Sequence, residues 1–374
     1  MAQENDPVIS PGEEIRKLLQ DRGWTQDDLA RILKRPLPTI NQIIQGKRAI
    51  TPDMAIVLAA AFGTTPEKWV SMEATYRLSM ATADPDPVQK NAKLYTFAPI
   101  KDMERRGWIP QATSTEEQER LLCQFFEINS LEEEPQINAA TRKPSVLQDL
   151  TTRQKAWCFR AKKLAKAIHV SSFQKSNLNK AALRLRELAA FPEEAVHVPK
   201  TLEEFGIRFI VIEPLPDCKI DGATIWLDEN SPVIAVSLRY DRIDAFWFTL
   251  LHEFYHVVHE DASIDYDLCG EGLMPSIAKV ETERRADIDA SDRLIPLGKL
   301  DSFITRVSPL YSKTRIIQFA HAIQIHPGII VGQLQYRGEI GYQANREMLV
   351  KIREIVTSSA LTDGWGRDIT LNVN

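Results

Sequence analysis

Two histidines and a glutamate in the segment FWFTLLHEFYHVVHED, residues 246–261, are the side chains best suited to chemistry. His252 and His256 are four residues apart, so on a helix they lie on one face, about one turn apart. Two imidazoles in this relation can bind one zinc ion. Glu253 is rotated by about 100° from His252, where it could take a proton from a water molecule whose pKa the metal lowers. The pattern H-E-x-x-H predicts a hydrolytic zinc site, although it also arises by chance in amphipathic helices.

A zinc site of this kind needs a third protein ligand, and two parts of the sequence could supply it. His259 shares the histidine face, but it lies a further ~4.5 Å along the helix axis from His256. The segment VETERRADIDASDRLIP offers carboxylates instead, and its Glu283 and Asp287 share a helical face. We expect Glu283 to bind the metal and Asp287 to accept a hydrogen bond from the second ring nitrogen of a ligand histidine. The segment's other carboxylates are Glu281, Asp289 and Asp292.

The surrounding sequence predicts the elements that would position these side chains. Short runs rich in β-branched residues occupy 207–213, 223–229 and 233–240, with turn-forming segments between them, and predict a small sheet. Helical periodicity is present at 177–190, 277–295, 313–323 and 344–357. The predicted fold is mainly α with a small β-sheet, in the α+β class.

Length and composition are those of a globular protein. The chain has 374 residues, 44% hydrophobic and 26% charged, enough for two or three domains. Its net charge of −5 means that nucleic-acid binding would require a local basic patch. No apolar run approaches the ~18 residues of a membrane helix, and the first residues do not resemble a secretory signal. The four cysteines (Cys123, Cys158, Cys218 and Cys269) are widely spaced, so we expect reduced thiols, a cytoplasmic location and no membrane partner.

The chain divides into four predicted regions without an internal repeat. Residues 81–90, ATADPDPVQK, contain prolines and aspartates without apolar periodicity and predict a linker. The expected organisation is an N-terminal domain (1–80), a linker with a helical middle region (81–194), a region holding the candidate zinc site (195–300) and a C-terminal helical region (301–374).

A second functional motif lies near the N-terminus. Thr25 is a good helix N-cap, and Asp28 three residues later completes an acidic capping box. The buried face of the helix that follows is expected to consist of Leu29, Ile32 and Leu33. A short turn at 34–36 leads to another helix, whose expected buried residues are Ile40, Ile43 and Ile44, and Gly46 ends it. Two short helices joined by a tight turn predict a helix-turn-helix.

The second helix of this motif would present amide and hydroxyl groups, which read base edges in the major groove. The side chains concerned are Thr39, Asn41, Gln42 and Gln45. Basic side chains at both ends of the helix could contact phosphates. They are Lys34, Arg35, Lys47 and Arg48. The alternative is an ordinary helical bundle with a polar surface.

The signature PGEEIRKLL…GWTQDDLARIL…TINQIIQGKRAITPDMAIVLAAAFGTTPEKW resembles the helix-turn-helix of HigA-type antitoxins in the Xre repressor superfamily. The resemblance implies that a homodimer binds a palindromic operator. The sequence Pro-Leu-Pro at 36–38 replaces polar residues that often open the recognition helix in such proteins. Base contacts would therefore fall mainly to Thr39, Asn41 and Gln42.

The segments RYDRIDAFWFTLLHEFYHVVH and ETERRADIDASDRLIP resemble, over residues 195–300, the ImmA/IrrE metallopeptidases. The resemblance implies a zincin-like domain that hydrolyses peptides, with Glu253 as general base. The implied zinc ligands are His252, His256 and Glu283. Asp287 stands at the family's Asn/Asp position, and Asp289 replaces an aromatic residue that is usual there. Phe-Tyr at 254–255 replaces a commoner pair of small residues.

Together the two resemblances predict an antitoxin-like DNA-binding regulator with a zinc-dependent endopeptidase. Its substrate would be a partner protein or the chain itself, which could be cleaved within 81–90 or 130–145. The alternative is an antitoxin-like repressor whose peptidase fold is a non-catalytic sensor that binds a toxin or another effector. Candidates for stabilising the oxyanion are Tyr240, Arg242 and His259, and residues 223–229 could offer an open strand edge to substrate. Cys218 is expected to be an ordinary loop cysteine, and His321 and His326 are expected to be structural.

Overall fold

The computed structural model describes residues 8–137, 150–261, 263–266 and 281–367. The chain forms two compact units, Met1–Asp86 and Pro87–Asn374. The first boundary lies near the predicted one at residue 80. The three regions predicted beyond it belong to a single unit, because residues from all of them contribute to shared hydrophobic cores. Within the described residues, no helix is long and apolar enough to cross a membrane.

The first unit contains five short helices in its described part. They are α1 (Pro11–Arg22), α2 (Gln26–Leu33), α3 (Leu37–Ile44), α4 (Pro52–Phe62) and α5 (Pro66–Ser79). The capping box predicted for α2 is confirmed, since the Thr25 hydroxyl accepts from the Asp28 N–H and the Asp28 carboxylate accepts from the Thr25 N–H. The predicted buried face of α2 is wrong at Ile32, which is 45% exposed, whereas Leu29 and Leu33 lie in the core. A helix of eight residues completes only about two turns, so its buried stripe is narrow.

The second unit begins with the helices α6 (Asp86–Phe97), α7 (Ile100–Arg105), α8 (Thr115–Phe126), α9 (Thr152–Ala165), α10 (Leu178–Leu188) and α11 (Val198–Glu204). Strands β1 (Arg208–Ile212), β2 (Ile220–Trp226) and β3 (Pro232–Val236) precede α12 (Ile243–His259) and β4 (Ser263–Tyr266). The remaining elements are α13 (Glu281–Leu294), α14 (Leu297–Val307), α15 (Lys313–Ile323), α16 (Pro327–Tyr336), α17 (Arg353–Thr357) and β5 (Leu361–Asp363).

The sheet has the strand order β4-β2-β3-β1-β5. Strands β3 and β5 run parallel to β1, whereas β2 runs antiparallel to both β3 and β4. The expectation that residues 223–229 form an open edge is wrong, because β4 pairs with that side of β2 and is itself the edge strand. Strand β5 lies in a tail for which no structure was predicted; three residues are too few to show a period.

Both faces of the sheet are buried. Along β1, Phe209 and Val211 point into a core shared with α10 and α12 to α16, whereas Ile210 and Ile212 point into a core shared with α6 to α9. This alternation follows from the period of two in a strand. The predicted middle region therefore packs on one face of the sheet, and the helix with the H-E-x-x-H pattern packs on the other.

Several predicted boundaries differ from the structure. The predicted linker 81–90 ends in helix α6, which starts at Asp86. The predicted helix 344–357 is only the short α17, preceded by a 3-10 turn at Arg346–Met348. Residues 277–280 of one predicted helix, and residues 138–145 of the second predicted cleavage segment, lie outside the described residues.

Candidate metal centre and candidate nucleic-acid interface

Helix α12 carries the H-E-x-x-H residues through the interior of the second unit. It packs against β2 and β3 on one side and against α13 and α16 on others. Its side chains are buried on almost every face, which agrees with its apolar sequence. His252, Glu253 and His256 are all 0% exposed. Buried polar groups need partners, so the elements around α12 must supply them.

Three ligand atoms converge between α12 and α13. The Nε2 atoms of His252 and His256 are 3.0 Å apart, and Glu283 Oε2 lies 3.2 Å from the first and 3.5 Å from the second. Tetrahedral zinc with bonds of about 2.0–2.1 Å requires ligand atoms about 3.3 Å apart. The triangle has the size that a zinc ion needs, and its two imidazoles and one carboxylate are a donor set that zinc prefers. The structure thus brings together the three predicted ligands.

Asp287 holds one of these histidines. Its Oδ1 lies 2.9 Å from His252 Nδ1, and the Asp287 side chain is only 17% exposed. Because Nδ1 faces this carboxylate, the proton belongs on Nδ1 and the Nε2 lone pair points toward His256 and Glu283. The structure therefore places Asp287 where the sequence predicted a supporting carboxylate.

Helix α13 is held against α12 by a narrow apolar strip and by polar contacts. Only Ala286, Ala290 and Leu294 of α13 are buried. Arg285 pairs with Asp261 at 2.9 Å, and Arg293 donates to the Tyr255 hydroxyl at 2.9 Å. These contacts fix the helix that carries Glu283.

The remaining candidate ligands have other partners. His259 Nε2 lies 2.8 Å from Asp289 Oδ2, so the carboxylate that replaces the family's aromatic residue pairs with the histidine that was the weaker ligand candidate. Glu281 pairs with Arg284, and Asp292 accepts from the Leu297 N–H.

Glu253 faces the sheet and lies outside the ligand triangle. The Thr224 hydroxyl lies 2.8 Å from Glu253 Oε2 and 2.8 Å from the Glu253 backbone oxygen. Gly222 lies against the same carboxylate, where a Cβ would be 2.3 Å from Oε1. Sequence reasoning missed both β2 residues. Their only signal is that a glycine and a threonine interrupt an otherwise apolar strand, and such a signal acquires meaning only when β2 is known to pack on α12.

Two of the three oxyanion candidates have ionic partners. Arg242 forms an ion pair with Asp244 at 2.5 Å, and His259 pairs with Asp289. The Arg239 guanidinium lies 4.5 Å from the Tyr240 ring centroid. Tyr240 also borders a small cavity beside Thr249, one turn before Glu253 on α12.

The described cysteines and C-terminal histidines lie away from this chemistry. Cys218 is buried in the loop before β2, and burial raises its pKa to about 11. Cys269 lies outside the described residues. His326 caps α16 by accepting from the Gly328 N–H, and burial lowers its pKa. His321 is exposed on α15.

In the first unit, α2 and α3 form the predicted helix-turn-helix. Ile40, Ile43 and Ile44 bury one face of α3. The helix begins at Leu37 directly after Pro36, and Gly46 follows it at a φ of 73°, a conformation that glycine adopts without strain. The prolines stand at the helix start, where their missing N–H groups cost little.

The predicted base-reading residues differ in exposure. Gln42 and Gln45 are exposed, whereas Thr39 and Asn41 are half-buried. The Oδ1 atom of Asn41 is buried, so the Asn41 acceptor points away from solvent. The basic residues at the two ends of α3 are all exposed; they are Lys34, Arg35, Lys47 and Arg48. Together they form a positive border around a polar helix face. A fold of this kind defines the class of DNA-binding helix-turn-helix proteins.

Comparison with known proteins agrees with this class. The family model described as helix-turn-helix matches residues 15–69. Virulence-associated protein I of Dichelobacter nodosus is 35% identical over 93 residues, which are 25% of this chain and 86% of that protein. The uncharacterized HTH-type transcriptional regulator YddM of Escherichia coli (strain K12) is 30% identical over 71 residues, 19% of this chain and 76% of that protein. The chain belongs to the helix-turn-helix family.

Two solved structures are also similar to this chain. The Pseudomonas aeruginosa antitoxin HigA with the higBA promoter is 36% identical and has a TM-score of 0.20, with 21% of this chain and 87% of that chain covered. An addiction module antidote protein of a HigA family from Coxiella burnetii is 37% identical and has a TM-score of 0.19, with 20% of this chain and 82% of that chain covered.

Proposed function

We propose that this chain is an antitoxin-like transcriptional regulator that binds a palindromic operator as a homodimer and carries a zinc-dependent endopeptidase in its second unit. The observation that carries the second part is the buried triangle of His252, His256 and Glu283. Its sides of 3.0–3.5 Å suit one zinc ion. The proposed substrate is a regulatory partner protein or the chain itself.

The chain's own residues would share the work of peptide hydrolysis. Zinc, when bound, would supply the Lewis-acid chemistry that makes water a nucleophile at neutral pH. Glu253 would take the proton from the attacking water and pass it to the leaving amine nitrogen. Asp287 would keep His252 in the tautomer whose Nε2 faces Glu283. An extended substrate could pair with β4, the edge strand next to β2.

The peptidase proposal is tested by mapping new protein N-termini. Zinc-loaded wild-type chain and the Glu253→Gln variant are each incubated with a bacterial lysate, and new N-termini are identified by mass spectrometry. Glu253→Gln is the matched control because it keeps all three ligands. We expect termini that only the wild type produces, either in a partner protein or in the chain itself within 81–90 or 130–145. The same set of termini from both proteins would refute hydrolysis by this site.

The DNA-binding proposal is tested by selection of bound DNA from a random library. The account predicts an enriched site with two inverted half-sites, because a two-fold dimer presents two copies of α3. Removing the basic border with the double variant Lys47→Ala and Arg48→Ala should weaken binding to every sequence. Equal retention of all library sequences by the wild type would contradict operator recognition.

The second candidate is an antitoxin-like repressor whose peptidase fold is a zinc-loaded but non-catalytic sensor. The burial of Glu253 favours it, since a residue that is 0% exposed must become accessible before a peptide carbonyl can reach it. A chain that holds zinc, produces no new N-termini and retains a toxin or another effector would establish this alternative.

A further inference from the structure

We propose that Gly222 and Thr224 of β2 are positioning residues for Glu253, which together form a fixed seat for its carboxylate. The inference rests on the proposed peptidase function for its kinetic consequence, whereas the seat itself is testable without any activity. Gly222 and Thr224 are two residues apart on one strand, so their side-chain positions face the same side of the sheet. That side is the one against which α12 packs.

Thr224 supplies a hydrogen-bond donor to the carboxylate. Its hydroxyl is 1% exposed and lies 2.8 Å from Glu253 Oε2. The same hydroxyl lies 2.8 Å from the backbone oxygen of Glu253, so the two acceptors of one residue share a single donor. A buried hydroxyl without partners is costly. In β2 this hydroxyl ties the sheet to both ends of the Glu253 residue.

Gly222 supplies the space. A Cβ at this position would lie 2.3 Å from Glu253 Oε1, 2.8 Å from Cγ and 2.9 Å from Cδ. No side chain can therefore stand at 222 while Glu253 keeps its position. An added methyl group would displace the terminal atoms of Glu253, which can rotate, and it would leave the helix backbone in place.

The seat explains how a buried carboxylate can be held apart from the metal ligands. Glu253 follows a ligand directly in the sequence, yet its oxygens lie outside the triangle formed by His252, His256 and Glu283. The contacts with β2 draw the carboxylate toward the sheet and restrict its rotation. A proton acceptor must be held within hydrogen-bond reach of the water that it activates, and a displacement of ~1 Å can cost about 100-fold in rate.

A double-mutant cycle on the full zinc-loaded chain tests the seat directly, with thermal unfolding as the measurement. Thr224→Val removes the donor and leaves the Glu253 carboxylate buried without it, so we expect a clear fall in Tm. In a Glu253→Met background the same substitution should lower Tm less, because no buried charge depends on the donor. Thr362→Val is the matched control, since Thr362 is buried in β5 and donates to the Ala360 oxygen. It should lower Tm equally in both backgrounds.

Strictly additive Tm shifts for Thr224→Val and Glu253→Met would overturn the seat, whatever the chain's activity. The kinetic consequence is measured by hydrolysis of fluorescein-labelled casein. Gly222→Ala and Thr224→Val should lower kcat by about 10- to 100-fold with KM and zinc content unchanged, and Thr224→Ser should restore most of the rate. Unaltered kcat in Gly222→Ala would contradict the positioning role. A wild type that cleaves nothing would count against the peptidase and leave the cycle to decide the seat.

Discussion

Removal of the Asp287 carboxylate should weaken zinc binding without removing a ligand. Asp287 Oδ1 lies 2.9 Å from Nδ1 of the fully buried His252, a distance typical of a charge-assisted hydrogen bond. In Asp287→Ala the imidazole loses the partner that fixes its ring orientation and its tautomer. Loss of such a partner typically costs 10- to 100-fold in metal affinity, which corresponds to about 1.4–2.7 kcal/mol. Asp287→Asn keeps an acceptor oxygen and should lose less.

Zinc affinity is measured by competition with a chromophoric chelator at fixed pH and ionic strength. The matched control is Asp289→Ala on the same helix, which breaks the 2.8 Å contact with His259 but touches no ligand of the triangle. We expect its affinity to stay within about twofold of wild type. Zinc binding by Asp287→Ala that equals the wild type would refute the orienting role. An equal loss in Asp289→Ala would show that packing of α13, and not the hydrogen bond to His252, sets the affinity.

Three further outcomes follow from the two units. Gln42→Ala should reduce discrimination between operator bases by about 1–3 kcal/mol, whereas Lys47→Ala should weaken binding to all sequences and reduce the salt dependence by about one ion; binding assays over a salt series check both, and interchanged effects would refute the assignment. Leu29→Ala should destabilise the first unit by about 2–5 kcal/mol, because the side chain is fully buried, and denaturant unfolding that matches the wild type would contradict this. Cys218 should resist alkylation at pH 8 in the folded chain, since its pKa is raised to about 11, and half-exposed Cys123 should react before it; peptide mapping that shows the opposite order would be inconsistent with the burial.

The parts of the fold that rest on local sequence were predictable. The Thr25 capping box and the buried isoleucines of α3 follow from hydrogen bonding and periodicity within a few residues. The H-E-x-x-H spacing fixed the shared face of two histidines for the same reason. Each of these features depends only on residues that are near one another in the sequence.

The parts that rest on pairing between distant segments were not predictable from the pattern alone. The sequence gives no sign that β4 covers β2 or that β5, from the tail, pairs with β1. The contact between Thr224 and Glu253 depends on the register with which β2 packs on α12. Helix α13 shows an intermediate case, because the spacing of Glu283 and Asp287 predicted a shared face but could not predict that Asp289 would pair with His259.

The metal content of the purified full-length chain tests the central claim most directly. Wild type and Glu283→Ala are prepared identically, dialysed against a metal-free buffer after zinc loading, and analysed by inductively coupled plasma mass spectrometry. Glu283 lies on the surface of the triangle, 22% exposed, so its truncation should leave the fold intact and remove one of three protein ligands. The account predicts about one zinc per wild-type chain and a strongly reduced content in Glu283→Ala. Equal zinc in the two proteins, or none in the wild type, would contradict a metal centre built from His252, His256 and Glu283.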